Sequence, residues 1–391
     1  MKSKKTSIAL LGSTGSIGVS SLSVIKKHQN SFSVNLLACN KNKLKILKQI
    51  KFFLPSYVII KNNECYNFVK KKKFKKKILL FRNIQDFNNF CKKKKIKFDK
   101  VILGISSIAG LEYAMSFISK TKEMLIANKE SIVCGGKFFL NSAKKLGCKI
   151  ISVDSEHFCI ANSIKNLDKN LIDKIYLTAS GGPFLNKKVS EISRVEPKLA
   201  LKHPKWKMGK KISIDSATMA NKGLEIIEAS YLFNLRPDQI KVKIHKESKV
   251  HSVIILKNGL IYLTAHDTSM KIPLENSLLN YKKVSEKKTF FIKKNTFSFS
   301  FDEINLKKFI MISLAYKALK LGQRACIFYN VINDFLVEKY LKKKIFFYEI
   351  SSILNNVISN KKFKYYFKKK IKKISDIYET IAYAKIICKD F

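Results

Sequence analysis

Ser7-Ile8-Ala9-Leu10-Leu11 runs directly into Gly12-Ser13-Thr14-Gly15-Ser16-Ile17-Gly18. An apolar run of strand length, a glycine turn and helical spacing from Ser16 to Lys27 together predict a strand, a tight turn and a helix. Glycines in such a turn let the backbone approach a pyrophosphate. The helix N-terminus adds unpaired N–H groups and partial positive charge. The spacing is G-x-x-G-x-x-G rather than G-x-G-x-x-G, and an ordinary βα turn also uses glycine. The strand before it and the helix after it favour a dinucleotide site.

Working outward, further strand candidates recur at Ser33 to Cys39, Tyr57 to Ile60, Val101 to Leu103, Leu125 to Ala127 and Lys149 to Val153. Alternation with helical segments predicts a mainly parallel sheet, and hence an N-terminal Rossmann-like domain over 1–153. An NAD site places an acid at the end of the second strand. Here Ala38-Cys39-Asn40-Lys41-Asn42-Lys43 offers no carboxylate, and Lys41 suits a 2′-phosphate, so NADPH is the expected cofactor.

Residues 154–281 read as a central α+β domain. Strand candidates Val242 to His245, Val250 to Leu256 and Leu260 to Ala265 look antiparallel, with Asn258-Gly259 as a hairpin turn. Residues 282–305 are polar and lysine-rich and read as a linker. Residues 306–391 show helical spacing through Ile310, Leu314, Ala318 and Leu321, so the fold class is α/β with a C-terminal helical domain.

Composition narrows the function. Apolar residues make up 46% of 391, ample for packed cores. The net charge is +49, from 77 Lys+Arg against 28 Asp+Glu. Such a field attracts polyanions. The excess is scattered lysine, as at Lys70 to Lys73, Lys92 to Lys95 and Lys368 to Lys370, and it travels with Asn, Ile, Phe and Tyr. That pattern reads as compositional drift rather than a specific nucleic-acid site, which would concentrate arginine on one element. The eight cysteines show no C-x-x-C pair and read as reduced core thiols. With no apolar run of membrane length, the expectation is a cytoplasmic protein with no membrane partner.

The acids are few, which makes their grouping informative. Asp154-Ser155-Glu156-His157 follows a strand end, and residues two apart on an extended segment point the same way, toward one hard cation. Glu225 could add a third oxygen. An acidic pair there can equally be a helix cap. Lys129 follows another apolar strand and can reach a substrate oxygen or phosphate. Ser180-Gly181-Gly182 could cradle a phosphate through backbone N–H groups or be a plain turn. Ser216, Asn221 and Lys222 group hydroxyl, amide and ammonium donors. Residues 203–209, His203-Pro204-Lys205-Trp206-Lys207-Met208-Gly209, hold the only tryptophan and read as a lid that excludes water rather than as core, with packing of Trp206 on a domain surface as the alternative.

GSTGSIG (12–18), ANKES (127–131), VDSEH (153–157), TASGGPF (178–184), HPKWKMGKKISIDSATMANKGLE (203–225) and, more loosely, LAYKALKLG with NVIND (314–334) run in order along most of the chain. Together they resemble the 1-deoxy-D-xylulose 5-phosphate reductoisomerase family. The resemblance implies NADPH-dependent rearrangement and reduction of that sugar phosphate to 2-C-methyl-D-erythritol 4-phosphate, in isoprenoid precursor synthesis, by a homodimer. It implies Mg²⁺ or Mn²⁺ on Asp154, Glu156 and Glu225, with Ser155 and Lys129 on substrate oxygens. It implies phosphate contacts from Ser180, Ser216, Asn221 and Lys222, a substrate pocket lined by His203, and a flap carrying Trp206 and Met208. It implies NADPH contacts from Thr14, Gly15, Ser16, Ile17, Asn40, Lys41, Asn42, Asn128, Glu130 and Gly209. The chain departs from the family pattern at Asn40 (glycine is usual), Lys246 (proline), Lys271 (arginine), Asn280-Tyr281 (Trp-Pro) and Asp334 (glutamate). Two other readings stay open: another NADP-dependent oxidoreductase, of a semialdehyde for example, which needs no such acid set, and a basic nucleic-acid-binding protein.

Overall fold

The computed structural model describes residues 4–206, 208–280 and 298–391. Of these, 4–131, 139–154 and 270–280 form one compact unit, and 132–138, 155–206, 208–269 and 298–391 form another.

The first unit is built on seven strands: β1 (Thr6–Leu11), β2 (Phe32–Cys39), β3 (Tyr57–Ile60), β4 (Leu79–Phe81), β5 (Phe98–Leu103), β6 (Thr121–Ile126) and β7 (Lys149–Ser152). They pair in parallel in the order β4-β3-β2-β1-β5-β6-β7. Because β1 sits between β2 and β5, the chain turns off its carboxyl end at the crevice where ligands of such sheets bind. Ile8 to Leu11 are fully buried, as a two-faced parallel strand requires. The expected strands all form. β4 has no counterpart in the sequence reading, because its three residues sit among lysines and give no periodicity.

The helix Lys271–Leu279 belongs to this first unit, not to a domain spanning 154–281. Leu274 and Leu278 join the core of Ile8, Leu10, Val24 and Ile25. His28 Nε2 meets Glu275 at 2.8 Å, and the buried Lys100 donates to the Ser277 carbonyl at 3.1 Å and to Asn280 Oδ1 at 3.0 Å. Three-dimensional packing thus reassigns a segment that is remote in sequence.

The second unit carries a five-stranded sheet, β8 (Ile172–Ala179), β9 (Ile240–Ile244), β10 (Val250–Leu256), β11 (Ile261–Ala265) and β12 (Asp302–Glu303), in the order β11-β10-β8-β9-β12. The β10–β11 hairpin forms as expected, with Gly259 at φ +87° and Asn258 Oδ1 accepting from the Leu260 N–H. β9 corrects the expectation: it pairs in parallel with β8. The connection between them is long enough for a crossover, which only the fold reveals. β12 lies inside the stretch read as a linker, where it pairs antiparallel with β9. Residues 282–297 of that stretch, like Tyr281, lie outside the described residues.

Residues 306–391 are helical as expected: Ile310–Leu321, Gln323–Leu341, Phe347–Ser359, Lys361–Lys368 and Ile374–Ile387. They are not a separate body. Phe309 and Ile312 share the core of Ile175, Leu177, Ile226 and Ile254. All eight cysteines are buried and none is in a disulfide. Among the described residues no helix is long and apolar enough to cross a membrane.

The helix Lys129–Lys145 breaks at Gly136, where φ is +51° and ψ −146°. Gln323 fills the break, donating to the Cys134 and Gly135 carbonyls at 3.1 and 3.0 Å. A Cβ on Gly136 would lie 2.5 Å from the Gln323 carboxamide carbon. Gly136→Ala should therefore cost about 1–3 kcal/mol through backbone strain and that clash. Urea unfolding checks this, and an unchanged midpoint would contradict it.

Candidate active site

At the end of β1 the N–H groups of Gly12 and Ser13 both donate to the Ala38 carbonyl at 2.9 Å, which folds the glycine turn onto the end of β2. Gly12 has φ +88°, and a Cβ there would meet the Gly104 carbonyl oxygen at 2.6 Å. A Cβ on Gly18 would meet the Gly12 and Ser13 carbonyl oxygens at 2.4 Å, so the helix Ser16–Lys27 can approach the strand only with glycine there. Gly15 caps that helix without a side-chain hydrogen bond, and Gly15 and Ser16 are exposed, as an anion-binding helix start requires. Thr14 and Ile17 are half-buried beside them.

Asn40, Lys41 and Asn42 are exposed at the end of β2. Asn42 Oδ1 caps the helix Lys43–Phe53 by accepting from the Lys45 N–H at 3.1 Å. Asn128 is committed more fully. Its amide donates to the Ile105 and Ser107 carbonyls at 2.7 and 2.9 Å, while its Oδ1 accepts from the Ser131 N–H at 2.6 Å. Both amide hydrogens thus tie the loop after β5 to the helix that begins at Lys129. Glu130 is buried beside it.

Lys129 opens that helix and ion-pairs with Asp154. The carboxylates of Asp154, Glu156 and Glu225 lie with their oxygens within 4.8 Å of one another. The local geometry differs from the extended pair that the sequence reading assumed. β7 ends at Ser152, and Glu156 lies in the first turn of the helix Ser155–Ser163. Covalent continuity across Ser155 holds the first two acids together, and the helix Ala220–Phe233 delivers the third. Glu225 is 1% and Asp154 8% exposed. Ser155 Oγ donates to Glu156, and Asn221 donates to Glu225.

Lys222 is the counter-charge. Its ammonium, 4% exposed as a residue, donates to Glu156 Oε1 at 3.0 Å, to Glu225 and to the Thr178 carbonyl at the end of β8. His157, fully buried, meets the Glu225 carbonyl at 3.0 Å and faces Glu228 at 3.5 Å. An all-oxygen donor set of three clustered carboxylates fits a hard divalent cation.

After β8, Ser180-Gly181-Gly182 turns sharply, with φ +90° and +64° at the glycines. A Cβ on Gly182 would sit 2.8 Å from the Ser216 carbonyl oxygen, so the turn lies directly against the helix Lys210–Ala217. Ser180 Oγ contacts His203 Nε2 at 3.1 Å. His203 Nδ1 accepts from the N–H groups of Lys205 and Trp206 at 3.1 and 2.9 Å. Two donors on Nδ1 place the proton on Nε2, which then donates to Ser180. Burial pulls the His203 pKa down to about 4, so the ring is neutral near pH 7.

Family profiles describe the same chain segment by segment. One described as 1-deoxy-D-xylulose 5-phosphate reductoisomerase matches residues 8–136, and its C-terminal domain profiles match 150–233 and 266–387. The reductoisomerase of Pelagibacter ubique is 39% identical over 95% of both chains, and that of Clostridium novyi 37% over 98% of both. A crystal structure of DOX-P reductoisomerase in complex with NADPH, fosmidomycin and magnesium superposes with a TM-score of 0.89. It is 31% identical and covers 98% of each chain. The chain belongs to the 1-deoxy-D-xylulose 5-phosphate reductoisomerase family.

Of the expected site residues, the fold pairs Lys129 with Asp154, groups Glu156 with Ser155, Lys222, Glu225 and Asn221, and separately sets Ser180 beside His203 and the turn at Gly182 against Ser216. Met208 is half-buried, Gly209 caps the helix Lys210–Ala217, and Lys207 lies outside the described residues. Trp206 is half-buried and not a core residue, with its ring edge-on to His251 at 6.3 Å. The sequence reading missed His251 and His266, which stack at 3.9 Å beneath that tryptophan. Their alternation on and after β10 carries no motif that distinguishes them from packing residues. Burial and the neighbouring His266 hold His251 down at about 4.

His203 and His251 bind protons more readily unfolded, near 6.5, than folded, near 4. Stability should accordingly rise with pH across that window, level off above about pH 7, and fall by pH 5 by about 2 kcal/mol for the buried His251 and by less for the half-exposed His203, whose charge water partly screens. Urea unfolding at pH 5 and pH 7 measures the slope. His203→Asn should flatten it, and an unaltered slope in that variant would remove His203 from the account.

Proposed function

We infer that this chain catalyses the NADPH-dependent rearrangement and reduction of 1-deoxy-D-xylulose 5-phosphate to 2-C-methyl-D-erythritol 4-phosphate in isoprenoid precursor synthesis. The observation that carries this reading is the buried cluster of Asp154, Glu156 and Glu225 in a chain of this family. Those three carboxylates would hold Mg²⁺ or Mn²⁺, which supplies Lewis-acid polarisation of neighbouring substrate oxygens. NADPH, which supplies the hydride, would lie on Thr14, Gly15, Ser16 and Ile17, with Lys41 at the 2′-phosphate and contacts from Asn40, Asn42, Asn128, Glu130 and Gly209.

The chain's own side chains do the rest. Ser155 and Lys129 orient the reacting oxygens. Ser180, Ser216, Asn221 and Lys222 take the phosphate, far enough from the reacting carbons that its binding energy serves orientation. Lys222 already bridges Glu156 to the end of β8, so it links the acid cluster to the phosphate donors. Neutral His203 holds Ser180 by donating Nε2–H, and Trp206 with Met208 covers the substrate and excludes water. We assign 1–153, with the helix Lys271–Leu279 packed on it, to NADPH binding, the rest of 154–281 to catalysis and 306–391 to support of the catalytic sheet, in the cytoplasm, with no specific nucleic-acid partner.

A homodimer is supported by β11, an edge strand, where Ile261, Tyr262 and Leu263, with Leu260 just before them, are 56%, 37%, 48% and 53% exposed. An apolar edge of that length calls for a covering strand, and a second copy supplies one. Ile261→Lys should shift the protein toward monomer in analytical ultracentrifugation, and an unshifted dimer would exclude this edge.

With NADPH, Mn²⁺ and substrate, NADPH absorbance should fall, EDTA should stop the loss, and added Mn²⁺ should restore it. Turnover insensitive to EDTA would favour a semialdehyde oxidoreductase without a metal. Glu225→Gln should lower kcat by at least about a hundredfold, the scale seen when a key charge is lost from a catalytic site, with NADPH affinity unchanged. Retained activity in that variant would refute the metal assignment.

A further inference from the structure

The helix Lys210–Ala217 joins two parts of the site, because it starts at Gly209, the end of the flap, and carries Ser216 near its own end. It makes one buried polar junction with the helix Gln323–Leu341. Asp215, 1% exposed, accepts from Asn333 Nδ2 at 2.8 Å and pairs with Lys211 Nζ at 2.7 Å. Lys211 extends to Asp334 Oδ1 at 2.9 Å. Asn333 is fully buried. One ammonium is thus shared by two carboxylates on different helices, and a buried amide fixes which way Asp215 points.

The same long helix supports the next ligand-bearing helix. Tyr329 Oη donates toward the Ala220 and Met311 carbonyls at 3.4 and 3.2 Å, and a Cβ on Gly223 would sit 2.2 Å from that oxygen. Gly223 lies between Lys222 and Glu225. Thr218 and Met219 alone separate the two supported helices, and Met219 makes the turn with φ +62°. Both helices are therefore referenced to one rigid element.

We propose that Asp215, Lys211, Asn333 and Asp334 are positioning residues for the phosphate end of the substrate, acting through Ser216 and the flap's end at Gly209. None of them touches substrate. The junction fixes the azimuth of a two-turn helix, and a small rotation would swing Ser216 away from the Ser180-Gly181-Gly182 turn that abuts it. Buried, charge-assisted hydrogen bonds resist such rotation more strongly than apolar packing does. This inference rests on the phosphate assignment made above.

The test compares wild type with Asp215→Asn, Asn333→Ala and Asp334→Glu. Inorganic phosphate affinity is measured by calorimetry, NADPH affinity by fluorescence, and kcat/KM with 1-deoxy-D-xylulose 5-phosphate and with unphosphorylated 1-deoxy-D-xylulose. Asn333→Ala and Asp215→Asn should weaken phosphate binding about tenfold or more and shrink the preference for the phosphorylated sugar by a similar factor, mainly through KM. NADPH affinity should stay within about twofold. Asp334→Glu, which keeps the charge, should behave like wild type. Wild-type phosphate affinity and preference in both disruptive variants would overturn the proposal, as would equal losses for both sugars and NADPH, the mark of a merely structural role. If Asp215→Asn does not fold, Asn333→Ala decides alone. A wild type that binds phosphate but turns over neither sugar would instead refute the functional reading, while the phosphate affinities still decide this one.

Discussion

Three carboxylates cannot share a volume a few ångströms across, largely out of water, unless cations neutralise them. Asp154, Glu156 and Glu225 stand in that position, and much of the surrounding architecture answers it. Lys129 and Lys222 bring the nearest positive charge, each from the first turns of its own helix. Lys222 reaches past the acids to the Thr178 carbonyl, which fixes the distance from the acid cluster to the end of β8. The Ser180-Gly181-Gly182 turn, and the helices against it, are positioned from there. The electrostatic need for compensation therefore sets where two helices start and how one strand ends.

The surplus of positive charge takes on a different meaning beside that cluster. Runs such as Lys70 to Lys73 lie largely exposed on the surface. A few lysines are internal and specific. Lys100 ties Glu123 to the helix Lys271–Leu279, and Lys308 donates to the Phe184 and Leu185 carbonyls at 2.7 and 2.8 Å, behind the turn at Ser180. Composition alone cannot separate these from the solvated majority. What separates them is whether carbonyls or carboxylates surround the ammonium.

Much of the site was legible because chemistry there demands particular residue types. The glycines at 12 and 18 are required by backbone oxygens that a Cβ would strike, and a reader of the sequence sees that need as a motif. The acids stand out because the chain has so few. By contrast, β8, the central strand of the second sheet, went unread, since Ile172 to Ala179 interleaves charge with apolar residues and pairs with partners about 65 and 80 residues away, a separation that no local pattern reports. The helix Lys271–Leu279 joins the first unit for the same reason: the core of Ile8, Leu10, Val24 and Ile25 that Leu274 and Leu278 enter is more than 200 residues away along the chain.

The sequence by itself determined the local elements and the chemical inventory: a glycine turn after a buried strand, an acid pair beside a strand end, hydroxyl and amide donors in one short stretch. These follow from backbone sterics and side-chain chemistry, which act over a few residues. Only the tertiary structure decided that Lys222 serves the acids, that Asn128 spends its amide on the loop after β5, that β9 runs parallel to β8, and that Asn333 reaches Asp215 across 118 residues of chain. Each of those depends on which buried group lacks a partner until the whole chain has packed. That is a global condition, because desolvation is imposed by neighbours that sequence distance does not reveal.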